Sequence, residues 1–204
     1  MAADYRRGFK ALAERLALEV RDGMGSDWQG RLDPRALAKH VGVVVFDLPE
    51  MRRLGMKEES LRFLLGRGRR EFSAALFESD GVRVIVANPS HSAVRQASNI
   101  VHEVGHVLLR HQPPTEIIDA GCRRWDATME LEADWLAGEL LVPRRAALEV
   151  ARQQTDAEAA AQRFGVSRAL MEWRLNHSGA RKQAARERSA YERNMPSILR
   201  GHVR

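Results

Sequence analysis

Val94-Arg95-Gln96-Ala97-Ser98-Asn99-Ile100-Val101-His102-Glu103-Val104-Gly105-His106-Val107-Leu108 decides how this chain is read. Its apolar members, Val94, Ala97, Ile100, Val101, Val104, Val107 and Leu108, recur at helical spacing and form one stripe. Ser90 or Ser92 stands where a capping hydroxyl belongs, and Pro113-Pro114 stops a helix beyond His111. A helix is therefore expected over residues 94–110. Four residues turn an α-helix by about 400°, so His102 and His106 project from nearly one side, with Glu103 on the flank of the stripe. Two imidazoles stacked in this way can grip one Zn²⁺, and the carboxylate beside them can take a proton from a water held by the metal. The same residues also suit an amphipathic helix with two surface histidines and a solvated glutamate. The test of the metal reading is a third ligand.

The pattern is HExxH, which points to hydrolysis of a peptide bond by a metal site with three protein ligands and one open position. The extended form, with glycine three and histidine six residues after the second histidine, is excluded because Leu109 and Gln112 stand there. His111 is one residue out of register. A better donor lies in Thr128-Met129-Glu130-Leu131-Glu132-Ala133-Asp134, the start of a second helix capped by Asp126 or Thr128 and ended before Pro143. Glu130 and Asp134 share a face there, at the edge of a stripe of Ala133, Leu136, Ala137 and Leu140, whereas Glu132 projects about 160° from Asp134, toward the side of Glu139. Like charges one turn apart destabilise a helix slightly, so a nearby cation gives the pair a reason. Glu130 is expected as third ligand. Asp134 is expected to accept the free N–H of a ligating histidine and fix its tautomer. Read without a metal, all four acids are solvated helix surface.

Arg95-Gln96 leading into His102-Glu-Val-Gly-His106, followed by Glu130-Leu-Glu-Ala-Asp134 and Leu140-Leu-Val-Pro143, resembles the ImmA/IrrE family of metallopeptidases over roughly residues 30–177. The resemblance implies a small zincin-like α+β peptidase of the kind that cleaves helix-turn-helix repressors in stress responses or mobile elements. It implies His102, His106 and Glu130 as zinc ligands and Glu103 as the base. Asp134 stands where the family usually has asparagine, and either side chain accepts an imidazole N–H. Trp135-Leu136 departs from the family's usual phenylalanine pattern, a matter of packing.

Composition sets wider bounds. With 204 residues, 44% hydrophobic and 29% charged, the chain reads as an ordinary soluble globular protein with a real core. No run approaches the ~18 apolar residues of a membrane span, and the first ten residues lack the apolar core of a signal peptide. A single cysteine rules out an internal disulfide, so a cytoplasmic location is expected. That cysteine, Cys122, is read as a small loop residue between the metal helices; the alternative is a thiolate that caps the open metal position. The net charge of +6 is concentrated at the end, where residues 179–204 hold seven basic and two acidic side chains. Such a tail can touch nucleic acid, but is more often a solvated terminal helix.

Elsewhere the pattern predicts a helix over residues 4–21 with Phe9, Leu12, Ala13, Leu16 and Val20 inward, and a second from Pro34 to near His40 capped by Asp33. A buried strand is expected over 43–46, and polar residues 50–60 are expected to cover the next piece. Strands over 72–77 and 82–87 flank the hairpin signal Ser79-Asp80-Gly81. By analogy with zincin-like enzymes, one of these two strands would hold an extended substrate by main-chain pairing. Thr155 and Glu158 form a capping box, and the run through Phe164-Gly165-Val166-Ser167 reads as helix, turn, cap, helix. The second helix, 168–176, offers Arg168, Trp173, Arg174 and Asn176 to a DNA groove, although Leu170, Met171 and Leu175 make it apolar for that task. The expected architecture is α+β. A zincin-like domain spans 1–145, a helix-turn-helix-like subdomain 146–178 and a basic tail 179–204. The expected partner is a protein substrate, a transcriptional repressor; direct DNA binding is not favoured. The rival reading is a non-catalytic regulator that binds a repressor or DNA through residues 155–177 and the tail. His91, His111 and Tyr5 are the open candidates to face a tetrahedral oxyanion, and none is favoured.

Overall fold

A computed structural model describes residues 4–79, 81–111 and 126–194. Cys122 and Pro113-Pro114 fall outside the described residues. The architecture is α+β: a small three-stranded sheet with helices on both faces, and a larger helical layer that continues to the C-terminal end of the described chain.

The first helix, α1 (Phe9–Gly23), starts later than periodicity predicts, because Gly8 takes a left-handed φ of 79° and breaks the turn. Residues 4–8 are thereby released from the helix, so that Tyr5 and Arg6 reach toward the middle of the chain. Its buried face is Phe9, Ala13, Ala17 and Val20. The expected Leu12 is instead 42% exposed. Small Ala13 and Ala17 form the side that lies against the later helix α5 (Ala127–Leu141), which rotates Leu12 outward. Next, α2 (Pro34–His40) starts as its sequence predicts, with the Asp33 carboxylate accepting from the N–H groups of Arg35 and Ala36.

Strand β1 (Val44–Asp47) pairs in parallel with β3 (Val82–Ala87), which pairs antiparallel with β2 (Ala74–Ser79), so β3 is central in the order β1-β3-β2. Sequence suggested that β1 is buried; it is an edge strand, and Val44 is 50% exposed. The hairpin forms as expected, with Leu76 opposite Ile85. Residues 48–65 supply a 3-10 helix (Leu48–Leu54) and α3 (Glu58–Leu65). With Val86 they bury Leu48, Met51 and Leu61 in a small second core on one side of the sheet. On the other side, Leu76 and Ile85 join the main core beneath α4 (Ala93–Leu108).

α4 buries Ala97, Ile100, Val101, Val104 and Val107, the predicted stripe, and Ser92 caps it by accepting from Arg95 N–H. Against it lies α5, opened by Asp126, whose carboxylate accepts from Thr128 N–H. The approach is close: a Cβ on Gly105 would meet the Ala133 carbonyl oxygen at 3.1 Å. α5 is enclosed by α1, α4 and a C-terminal helix, so the alternative of solvated acids fails for two of the four, while Asp134 stays exposed. Glu132 and Glu139 are buried, and each is held by an arginine from another element, Arg6 and Arg174.

The remaining helices are α6 (Arg144–Arg152), α7 (Ala157–Phe164), α8 (Arg168–His177) and α9 (Ala180–Asn194). Asp156, not Thr155, caps α7, accepting from Glu158 and Ala159 N–H. Gly165, at a φ of 66°, makes the turn to Ser167, which caps α8. The helix-turn-helix outline is present, but its second helix is turned inward. Arg174 is 0% exposed and donates to Val142 O at 3.0 Å and to the Glu139 carboxylate. Trp173 meets Trp135 of α5 edge-on at 5.3 Å. Two of the side chains offered for a DNA groove are thus spent on docking α8 to α5. The described part of the basic tail is α9, which packs Ala180 and Ala184 against α6 and leaves most of its surface exposed. One continuous apolar core runs from Phe9 to Ala184. Among the described residues, no helix is long and apolar enough to cross a membrane.

Candidate metal centre

Helices α4 and α5 cross so that three donors converge. His102 Nε2 lies 3.1 Å from His106 Nε2 and 3.3 Å from Glu130 Oε2, and His106 Nε2 lies 3.6 Å from Glu130 Oε1. Ligand bonds of about 2.0–2.2 Å at a tetrahedral metal set neighbouring donors roughly 3.3–3.6 Å apart. The observed spacings are close to this, and the two imidazoles and one carboxylate suit zinc and its borderline neighbours. The three residues are therefore able to hold a divalent metal.

Both ring nitrogens that face away from the cluster are engaged. His102 Nδ1 lies 2.8 Å from Asp134 Oδ1, and His106 Nδ1 lies 3.0 Å from His111 Nδ1. Each contact leaves Nε2 pointing at the cluster. The electrostatics favour a single positive charge over the two rings, on His102. Burial alone pulls His102 down, but hydrogen bonds to Asp134 and Glu130 outweigh it and push its pKa up to about 10. Burial and the charge on His102 push His106 down to about 4. Glu130 is held below the usual carboxylate range by its hydrogen bond to His102, which opposes burial.

Glu103, one residue from His102, points instead to the sheet, where its Oε2 accepts from Leu76 N–H of β2 at 3.0 Å. This ties the expected base to an edge strand. β3, the other candidate for holding substrate, is paired on both sides. Of the other residues named from sequence, His91 precedes α4, with Nε2 3.2 Å from Phe72 O. The helix begins two residues beyond it, and from Ala93 to His102 the rise is roughly 13–14 Å. Tyr5 packs edge-on against Trp135 at 5.3 Å; burial first and the charge of Asp134 second raise its pKa.

Sequence reasoning offered His111 only as an open candidate to face the oxyanion, and it missed the contact of His111 with His106 and the pairing of Glu132 with Arg6. Arg110 takes a left-handed φ of 55°, and His111 N–H bonds back to His106 O at 3.0 Å, the six-residue closure of a Schellman turn. That reversal tucks His111 beneath His106. Glycine commonly marks such a turn, and here there is arginine, so the sequence gives little warning. Glu132 does face away from Asp134 as predicted, yet that side of α5 is covered by residues 4–8 and not by water.

A short sheet, a helix bearing two histidines and a carboxylate from a second helix match a zincin-like α+β fold with a site able to hold a metal. The family model of the IrrE N-terminal-like domain, Peptidase M78, matches residues 38–176, and the chain belongs to this peptidase family. No curated protein matches the chain. The match includes α4 and α5 entire, and begins after α1.

Proposed function

We propose that the protein is a zinc-dependent endopeptidase that cleaves a transcriptional repressor of the helix-turn-helix type, in a stress-response, phage or mobile-element circuit. The observation that carries this reading is the convergence of His102 Nε2, His106 Nε2 and the Glu130 carboxylate beside Glu103. A zinc ion held by these three supplies the positive charge that acidifies a water and polarises a scissile carbonyl. Glu103 removes a proton from the attacking water as its oxygen bonds to the carbonyl carbon. It then delivers that proton to the amine nitrogen as the C–N bond breaks. Asp134 keeps the His102 proton on Nδ1 and frees Nε2 for the ligand role. The hydrogen bond from Leu76 N–H orients Glu103 along β2, and a substrate segment laid against this strand would bring its carbonyl to the same carboxylate. The choice of repressor follows from the family resemblance, and the single cysteine fits a cytoplasmic setting.

Zinc analysis and proteolysis test the reading together. Purified protein is expected to carry one zinc per chain and to cut helix-turn-helix repressors from its own genome. Glu130→Ala should lose the zinc. Glu103→Gln should keep fold and zinc while turnover falls at least about 100-fold, in line with loss of a general base. Zinc-free protein after reconstitution, or undiminished cleavage by Glu103→Gln, would sink the proposal.

A further inference from the structure

We propose that His111 and Glu132, anchored by Arg6, form a positioning relay that sets the tautomer and orientation of His106 for metal binding. The inference rests on the reading of His102, His106 and Glu130 as ligands. It concerns residues outside that set, and Arg6 lies outside the stretch matched to the family.

A metal takes the lone pair of His106 Nε2, so the ring's proton must sit on Nδ1. That N–H faces His111 Nδ1 at 3.0 Å, which must then accept, leaving the His111 proton on Nε2. His111 Nε2 is buried without a hydrogen-bond partner, and 3.7 Å away lies Glu132 Oε2. That gap is beyond hydrogen-bond reach, and closing by about 0.7 Å would complete the chain. Glu132 itself is 1% exposed, an unusual place for a carboxylate. It is fixed there by three donors of Arg6: the backbone N–H at 3.3 Å, Nε at 2.7 Å and Nη2 at 2.5 Å.

The two ligand rings are therefore oriented by different devices. Half-buried His102 meets a carboxylate directly, that of exposed Asp134. Buried His106 meets one through an intervening imidazole, with the carboxylate locked by a residue from the released N-terminal segment. Gly8 matters here because the helix break at its left-handed φ is what lets Arg6 turn back to α5. Arg6 is also the relay's weakest member, since its side chain is 62% exposed and water can replace part of its charge.

Cobalt titration of full-length metal-free protein at one fixed pH tests the relay, read by the visible d–d bands and by competition for affinity. His111→Leu is expected to weaken Co²⁺ binding 10–100-fold, the usual loss for an orienting partner, and to shift the bands. His111→Asn, which keeps an acceptor near the Nδ1 position, should recover most of the affinity. Glu132→Gln should lose several-fold and Arg6→Met less. Two-bond ¹H–¹⁵N spectra of the zinc-loaded wild type should show His111 as the Nε2–H tautomer. A folded His111→Leu with wild-type affinity and bands, or His111 as the Nδ1–H tautomer, overturns the relay. Should His111→Leu fail to fold, the wild-type tautomer and Glu132→Gln decide. Wild type that binds no Co²⁺ would remove the ligand assignment itself, whereas normal wild-type binding with unaffected variants removes only the relay.

Discussion

Arg174 and Glu139 are worth more as a pair than either is alone, because both are buried against α5 and α8. Burial pushes the Glu139 carboxyl up, while Arg174 and the Arg144 N–H pull it back. Removing the arginine leaves a carboxylate in the core without its counter-charge. Arg174→Met is therefore expected to cost roughly 3–5 kcal/mol in urea unfolding. Adding Glu139→Gln should return most of that loss, since glutamine removes the charge and still accepts from Arg144 N–H. A double variant no more stable than Arg174→Met would mean that the arginine contributes packing and not compensation of charge. The same pair explains why α8 does not offer Arg174 to DNA: extracting it would expose the same buried carboxylate.

Among the elements, the α4–α5 crossing sets the metal site, and Gly105 sets the crossing. Alanine is the better helix former by about 1 kcal/mol. Its Cβ would meet the Ala133 carbonyl oxygen at 3.1 Å, and that backbone belongs to an enclosed helix with little room to retreat. Overpacking of this kind costs about 1–3 kcal/mol, so the crowding outweighs the gain in propensity. Gly105→Ala should thus destabilise the protein by about 1 kcal/mol and weaken metal binding by spreading His102 and His106 from Glu130. Unchanged stability together with unchanged metal affinity would show that α5 can yield. Farther along, α9 is fastened to α6 by Arg152, whose Nε and Nη2 lie 2.9 and 3.0 Å from the Glu187 carboxylate. These bonds hold the Glu187 pKa down to about 2, from an ordinary value of 4.5. A depressed carboxylate contributes its stability above its unfolded pKa and loses it as pH falls through the folded one. The Arg152–Glu187 contribution is accordingly expected to fade between pH 4.5 and about 2. Glu187→Gln should flatten the unfolding curve in that window and converge with wild type at its lower end. The effect will be small and salt-sensitive, because the pair is in solvent; a slope identical to wild type would dismiss the pair.

At the scale of the whole molecule, the proposed ligands come from two helices of one continuous core, so metal binding and folding are expected to be linked. Free metal at 100 times its Kd stabilises the native state by about 2.7 kcal/mol. For a chain of this size each kcal/mol moves Tm by about 2–4 °C. Chelation of the zinc protein should therefore lower Tm by roughly 5–10 °C, and Glu130→Ala should already sit at the lower value. Equal Tm with and without metal, in protein proven to bind it, would contradict a site formed by the fold. Because α8 and α9 join this core through Arg174, Ala180 and Ala184, the transition should involve them together with the metal helices.

Local chemistry was legible in the sequence. The histidine spacing, the Glu130–Asp134 pair, the caps at Asp33, Ser92, Asp126 and Ser167, and the hairpin all depend on neighbours within a few positions, where backbone geometry alone fixes what faces what. The direction of α1 was misread because Leu12 and Ala17 compete for the inward face, and only the closeness of α5 chooses the smaller. Glu132 and Glu139 looked like surface because their partners stand 126 and 35 residues away, at Arg6 and Arg174. His111 looked out of register because an arginine, not a glycine, makes the left-handed turn at 110. The sequence by itself determined which residues could hold a metal and on which helices they sit. Tertiary structure alone decided which charges are buried and which groups meet His102 and His106, since those depend on contacts whose distance along the chain leaves no periodic trace.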